Sequence, residues 1–253
     1  MDRFRRWLFR ILLSLWVLLS GPVLVLLFGP LNLQEEELLT SNRQSAGIAP
    51  DSKNNAEAFI QLYAARSWSW RGAFFVHTWF ATKRLTHIYY KVYQVIGWQY
   101  FQNRQVLIIE RDTPDRYLFG QRPQLLLDLR GGKDVEALIN RLEEVMKEYP
   151  YYNTYNSWPG PNSNTFTAFV LRQIPALGIE LPPTAIGKDF LPPGQLLARS
   201  PSGTGVQFSL YGVLGMTIGL KEGLEVNLCT LNFGLDPLDL AIKWPGIGRI
   251  GWK

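Results

Sequence analysis

The side chains able to carry acid–base or nucleophilic chemistry are few, since the 253 residues include two histidines and one cysteine. His77 lies within AFFVHTWFA, and an imidazole set among Phe, Val and Trp costs free energy to bury unless its nitrogens find partners. Two readings stand side by side: a satisfied core histidine, or a general base whose ordinary pKa suits proton transfer near neutrality. His87, in KRLTHIYY, sits in a more polar setting and is expected at the surface. The second feature is WPGPNSNTF, residues 158–166, where a rigid loop meets the start of a helix. A hydroxyl there, Ser163, would gain from the orphan N–H groups and positive dipole end of the helix, which stabilise an oxyanion. Serine is equally a favoured helix cap, and a cap needs no chemistry. Asp189, Asp128 and Glu110 are carboxylates that could orient an imidazole, and each is equally explicable as a solvated or capping group. Cys229, in LEVNLCTLNF, reads as a strand residue with an inert packing role. One sulfur excludes an internal disulfide and a thiolate zinc cluster. No phosphate-binding glycine loop, H-E-x-x-H or dinucleotide fingerprint occurs, so neither a metal nor a cofactor is expected.

These residues have to be positioned by a strand and a helix far apart in sequence. Residues 73–81 (AFFVHTWFA) read as a buried strand, with alternation placing Phe75, His77 and Trp79 on one side. YYKVYQVI (89–96), QVLIIE (105–110) and QLLLDL (124–129) read as further strands, whereas NNAEAFIQLYAARSW, from Asn54, is read as a short helix. After a turn at Gly131 and Gly132, Val135, Leu138, Ile139, Leu142 and Met146 recur at helical spacing until Pro150. A second helix is predicted over 164–174, ended by Pro175. The two LPP triplets after it are loop punctuation. The glycine-punctuated tail from Gly203 is β-prone and is expected to add a hairpin or further strands. An aromatic set, Tyr63, Trp68, Trp70, Tyr151, Tyr152, Tyr155 and Trp158, could line a groove, form core, or skirt a bilayer.

Charge and hydropathy place the chain at a membrane. Of the five net positive charges, three come from residues 1–10, where Arg3, Arg5, Arg6 and Arg10 face one acid, Asp2. The rest is too nearly neutral for a phosphate-tracking surface, so no nucleic-acid partner is expected. Ile11 to Phe28 is an uncharged apolar run, about 27 Å long as a helix and near the minimum for spanning a bilayer. A cleaved secretory signal shares this layout, but the exit LFGPLNLQEEE lacks an A-x-A-like site, which favours an uncleaved anchor. Arginines on the cytoplasmic side put the body outside the cytoplasm, in the periplasm of a two-membrane cell. The expected division is residues 1–30 as cytoplasmic arginines and inner-membrane anchor, 31–53 as linker, 54–200 as the main domain and 201–253 as a β extension packed on it.

The segments AFFVHTWFATK and NSNTFTAFVLRQI together resemble the permuted papain-like hydrolases of the PPPDE isopeptidase type, over about residues 73–175. In that family an early strand histidine meets a later NCNTF-type segment whose cysteine heads a helix. Asn162, Asn164, Thr165 and Phe166 match it letter for letter, and Ser163 stands where the cysteine would be. WPGPNSNTF with the following LPPTAIGKD also resembles an uncharacterised family of bacterial membrane-anchored proteins, from about residue 60 to the end. The resemblance implies an α+β, permuted papain-like domain with His77 as base and Ser163 as nucleophile. Asn162, Asn164 and Trp158 would serve the oxyanion or substrate. The implied activity is that of an amidase or peptidase acting on envelope peptide, peptidoglycan or lipid. A serine cannot be pre-ionised as a thiol can, and needs a well-oriented base. The competing expectation is a catalytically inactive binding or scaffolding module of the cell envelope.

Overall fold

The computed structural model describes residues 3–33 and 44–251. The stalk expected over 34–43 lies outside the described residues. The architecture is α+β, with an N-terminal apolar helix and two antiparallel sheets.

Helix α1, Arg3–Phe28, continues through Pro22 and is long and apolar enough to cross a membrane. Its C-terminal third is docked on the body of the protein. Trp244 Nε1 donates to Ser20 Oγ at 3.0 Å. A Cβ on Gly21 would lie 1.9 Å from the Pro245 carbonyl oxygen, so only glycine permits this approach.

The first sheet has the order β4-β3-β2-β1-β5, with β1 Ala58–Arg66, β2 Val76–Lys83, β3 Lys91–Val95, β4 Leu107–Arg111 and β5 Gln124–Gly131. A short helix, α2 (Gly97–Phe101), links β3 to β4. The stretch expected to be helical from Asn54 is instead β1, the strand between β2 and β5. Its two faces are both covered, so AFIQLYAAR runs buried almost without polar alternation, and this hides its period. Sheet pairing outweighs the helical preference of its alanines.

The two sides of this sheet are separate compartments. On one side Ile60, Leu62, Val76, Phe80 and Val95 pack against α3 (Lys133–Lys147) and α4 (Ser163–Gln173). α4 matches the predicted 164–174 within a residue at each end, and α3 carries the apolar stripe Val135 to Met146 and ends before Pro150. On the other side Phe59, Tyr63, Trp79, Tyr90 and Val92 form a second core under Ile48, Ala49 and Leu118. The expected linker is therefore partly a lid: Asp115 accepts from Ser45 Oγ and from the N–H groups of Ile48 and Ala49.

The tail supplies the further strands expected of it as a separate seven-stranded meander, in the order β12-β11-β10-β9-β8-β7-β6, spanning Leu197 to Gly251. Its members are β6 Leu197–Arg199, β7 Gly205–Leu210, β8 Leu214–Gly219, β9 Gly223–Leu228, β10 Leu231–Asp236, β11 Ala241–Trp244 and β12 Gly248–Gly251. The sheet turns its polar face toward the rest of the protein. Lys188 donates to Asp189 at 2.9 Å and to Glu225 at 2.6 Å, Lys243 donates to Glu225 at 2.8 Å, and all four side chains are buried. Burial works to strip the Lys188 proton, but Asp189 and Glu225 outweigh it and hold the pKa above its ordinary value.

Candidate functional site

Helix α4 begins within the NSNT motif, and the local hydrogen bonds explain why. Asn162 is the N-cap: its side-chain oxygen accepts from the N–H groups of Asn164 at 3.0 Å and Thr165 at 3.1 Å. Thr165 Oγ1 accepts from the Asn162 N–H at 3.1 Å, closing a reciprocal capping box. The cap is thus Asn162, and Ser163 is the first helical residue. Ser163 is buried, and its hydroxyl makes no hydrogen bond among the described residues.

The two asparagine side chains are also committed elsewhere. Asn162 Nδ2 donates to the carbonyls of Ser157 and Ile186. Asn164 Nδ2 donates to Val76 O at 2.9 Å and Ile186 O at 2.8 Å, while its Oδ1 accepts from Thr78 Oγ1 at 2.9 Å. Thr165 Oγ1 donates to Gly187 O. Gly187 has φ of +100°, and a Cβ there would lie 2.3 Å from Asn162 Oδ1. The motif is a buried clamp joining the 157–161 loop, strand β2 and the 186–187 turn. With every amide proton used inside the fold, neither asparagine is left to donate to an oxyanion. Trp158 is half exposed and reaches the second sheet, donating from Nε1 to Thr230 Oγ1 at 2.7 Å.

The clamp also fixes where His77 points. Side chains alternate along β2, and Thr78 faces α4, bonding Asn164 and Thr167. His77 consequently faces the opposite compartment, with Trp79, at a ring separation of 5.8 Å, and Gln94. The shared face of His77 and Trp79 matches the expected alternation. Ser163, however, belongs to the α4 side, so the structure does not bring the expected base and nucleophile together. Among the described residues the side-chain hydrogen-bond partner of His77 is Gln94 Oε1, at 3.3 Å. Burial pulls its pKa down to about 4, against the Gln94 hydrogen bond, so the ring is neutral at pH 7. None of the three carboxylates considered for orienting it does so by hydrogen bond. Asp189 accepts from Lys188, Gln207, Asn227 and Asn232; Asp128 is held by Gln61 and Arg130; Glu110 is exposed on β4. Cys229 is exposed in the turn between β9 and β10, at φ of 53°, not packed within a strand.

A cavity of about 350 Å3 opens beside the clamp, where α4 meets the 190–195 loop and β6. Its walls include the rings of Tyr149, Tyr151, Phe169 and Phe190 and two arginines, Arg172 and Arg199. The hydroxyls of Tyr149 and Tyr151 are buried and have no hydrogen-bond partner among the described residues. Arg172 is fixed by the carbonyls of Lys188 and Arg199 and by Gln207, and burial pulls its pKa down to about 10, so it is charged at neutral pH. The Arg199 guanidinium has no hydrogen-bond or ionic partner among the described residues. Of the expected aromatic groove, only Tyr151 lines this cavity. Tyr63 is stacked on Trp79 in the other compartment, and Trp68 and Trp70 flank Arg71. Sequence reading missed the two arginines because nothing in RQIPALG or LLARS marks a cavity wall.

Residues 57–190 match the family described as protein of unknown function DUF3750. The chain belongs to this family. Its span runs from the start of β1 to the residue after Asp189, so it holds the first sheet, α3, α4 and the clamp. The seven-stranded sheet lies beyond it. No curated protein and no solved structure matches the chain, and the papain-like resemblance gains no support from them.

Proposed function

We propose that the protein is a non-catalytic binding module of the cell envelope. In this reading α1 anchors it in the inner membrane with the arginine-bearing end in the cytoplasm, and the remainder works on the outer side. The observation that carries the non-catalytic reading is the commitment of Asn162, Asn164 and Thr165, the motif residues around Ser163, to internal hydrogen bonds, with His77 turned to the other side of β2. A serine nucleophile requires a base within about 3 Å of its hydroxyl, and the alternation of β2 separates the two groups. The feature left open for a ligand is the cavity with Arg172 and Arg199 among aromatic rings. The Arg172 guanidinium, with Arg199 at the β6 edge of the same wall, favours a carboxylate- or phosphate-bearing group, and the rings favour an apolar or planar body next to it. An anionic lipid or the acidic end of an envelope peptide has that chemistry.

Native mass spectrometry of the full-length protein in detergent, with phosphatidylglycerol and with a muropeptide ending in a free carboxylate as probes, tests this. One of the two is expected to bind the wild type and to be lost in Arg199→Glu, while phosphatidylcholine does not bind. Absence of binding by both probes, or binding that Arg199→Glu leaves intact, contradicts the assignment to this cavity.

A further inference from the structure

The seven-stranded sheet is inverted relative to a water-soluble one. Across β7 to β12 one cross-strand row reads Val206, Ile218, Leu224, Leu235, Ile242 and Ile250, and each of these side chains is exposed. The neighbouring row on the same face contains Phe208, Met216 and Phe233. Among the described strand residues on that face Arg199, at the β6 edge, is the only charged one. The opposite row reads Gln207, Thr217, Glu225, Gly234, Lys243 and Arg249, and it is the face turned inward. An antiparallel sheet in water buries its apolar face and solvates its polar one; the reverse arrangement is that of strands facing lipid. An apolar surface of this extent on a protein in water would mark an interaction site in any case.

The contact with α1 says which partner covers it. The β11–β12 turn, Trp244 to Gly246, packs on Ser20, Gly21 and Pro22. Gly21 lies seven residues before the end of α1 at Phe28, about 10 Å along the helix axis. A helix that spans the bilayer with its uncharged run therefore carries this end of the sheet down to the depth at which interfacial elements insert, roughly 5–10 Å below the headgroup boundary. Trp244 belongs to the apolar face, with its ring against Phe233 at 5.0 Å, so the docked edge and the exposed rows are continuous.

We infer that the apolar face of the C-terminal sheet lies on the lipid bilayer, in the leaflet that α1 leaves at its C-terminal end, making the protein a monotopic platform as well as a helix-anchored one. This rests on the membrane-anchored reading above. It explains the polar interior. With lipid on the outer face, the ion network around Lys188, Glu225 and Lys243 holds the sheet to the family domain, where apolar contacts would otherwise be expected.

Lipid-borne quenching in the full-length protein tests it. In a Cys229→Ser background, single cysteines at Ile218→Cys and Leu235→Cys carry an environment-sensitive fluorophore. Leu15→Cys on α1 is the reference for the anchor, and Arg141→Cys on α3 is the reference for solvent. The protein is reconstituted in phosphatidylcholine–phosphatidylglycerol vesicles with or without nitroxide-bearing lipid. The inference expects positions 15, 218 and 235 to lose at least half their emission to the nitroxide, and position 141 to keep it. Quenching at 15 but not at 218 and 235 overturns the inference while the anchor stands. If the two sheet positions are then also shielded from aqueous iodide, a protein partner covers the face instead. Absence of quenching at 15 removes the anchored reading itself, and the inference with it.

Discussion

Replacing Asn164 with alanine should cost far more stability than replacing its neighbour Ser163, although both belong to one four-residue motif. Asn164 is buried and makes three side-chain hydrogen bonds, to Val76 O, Ile186 O and Thr78 Oγ1. After truncation Ile186 O keeps its bond from Asn162 Nδ2, and Thr78 keeps Thr167. The Val76 carbonyl loses its clamp to α4, and a small polar void opens at the junction of strand and helix. An unpaired buried polar group costs about 1–3 kcal/mol, and the void adds a comparable amount, so the loss should be about 2–4 kcal/mol. The Ser163 hydroxyl has no hydrogen-bond partner among the described residues, and Ser163→Ala should stay within about 0.5 kcal/mol of the wild type. Urea unfolding of the full-length protein in detergent, followed by tryptophan fluorescence, gives both numbers from the midpoints and slopes. Equal destabilisation by the two substitutions, or a larger effect at Ser163, would refute the view that this motif is a clamp whose asparagines do the holding.

Further expectations follow from other buried groups. Glu225→Ala leaves the buried Lys188 and Lys243 ammoniums without their shared carboxylate, and should destabilise by about 3–5 kcal/mol, whereas Arg130→Ala, losing a largely solvated pair with Asp128, should cost under about 1 kcal/mol. His77 is held neutral, with a folded pKa of about 4 against 6.5 unfolded, so its contribution is intact above the unfolded value and lost as pH falls toward the folded one. Unfolding midpoints measured from neutral pH to about pH 4.5 should therefore show a loss of about 2–3 kcal/mol that His77→Leu removes. Gly21→Leu drives a side chain into Pro245 and should undock the last third of α1, read as faster amide exchange across residues 241–250; unchanged exchange would exclude that contact.

Much of the fold was legible where a periodic face existed. α3 and α4 showed their apolar stripes and their proline stops, and β2 to β5 appeared as short apolar runs between turn residues. β1 was not legible, because a strand covered on both faces shows no alternation and its alanines suit a helix. The tail displayed its alternation openly in GVQFSL and GLEVNL, but alternation does not say which face is wet; that follows only from Lys188 and Asp189 sitting against the polar rows. For the site, the NSNT letters and the strand histidine were visible, and the outcome turned on a single register step. Thr78, not His77, faces α4, since a shift of one residue along a strand changes sides. The partners that commit the asparagines are backbone carbonyls of Val76 and Ile186, which no motif announces.

The separation of His77 from Ser163 by β2 is best tested by labelling the full-length protein with an alkyl fluorophosphonate, comparing wild type, Ser163→Ala and His77→Ala. The geometry predicts no modification of Ser163 above the level of the alanine variant, and no effect of His77→Ala on labelling. Stoichiometric phosphonylation of Ser163 that disappears in both variants would contradict it, and would require the imidazole and the hydroxyl to meet on one face of the sheet.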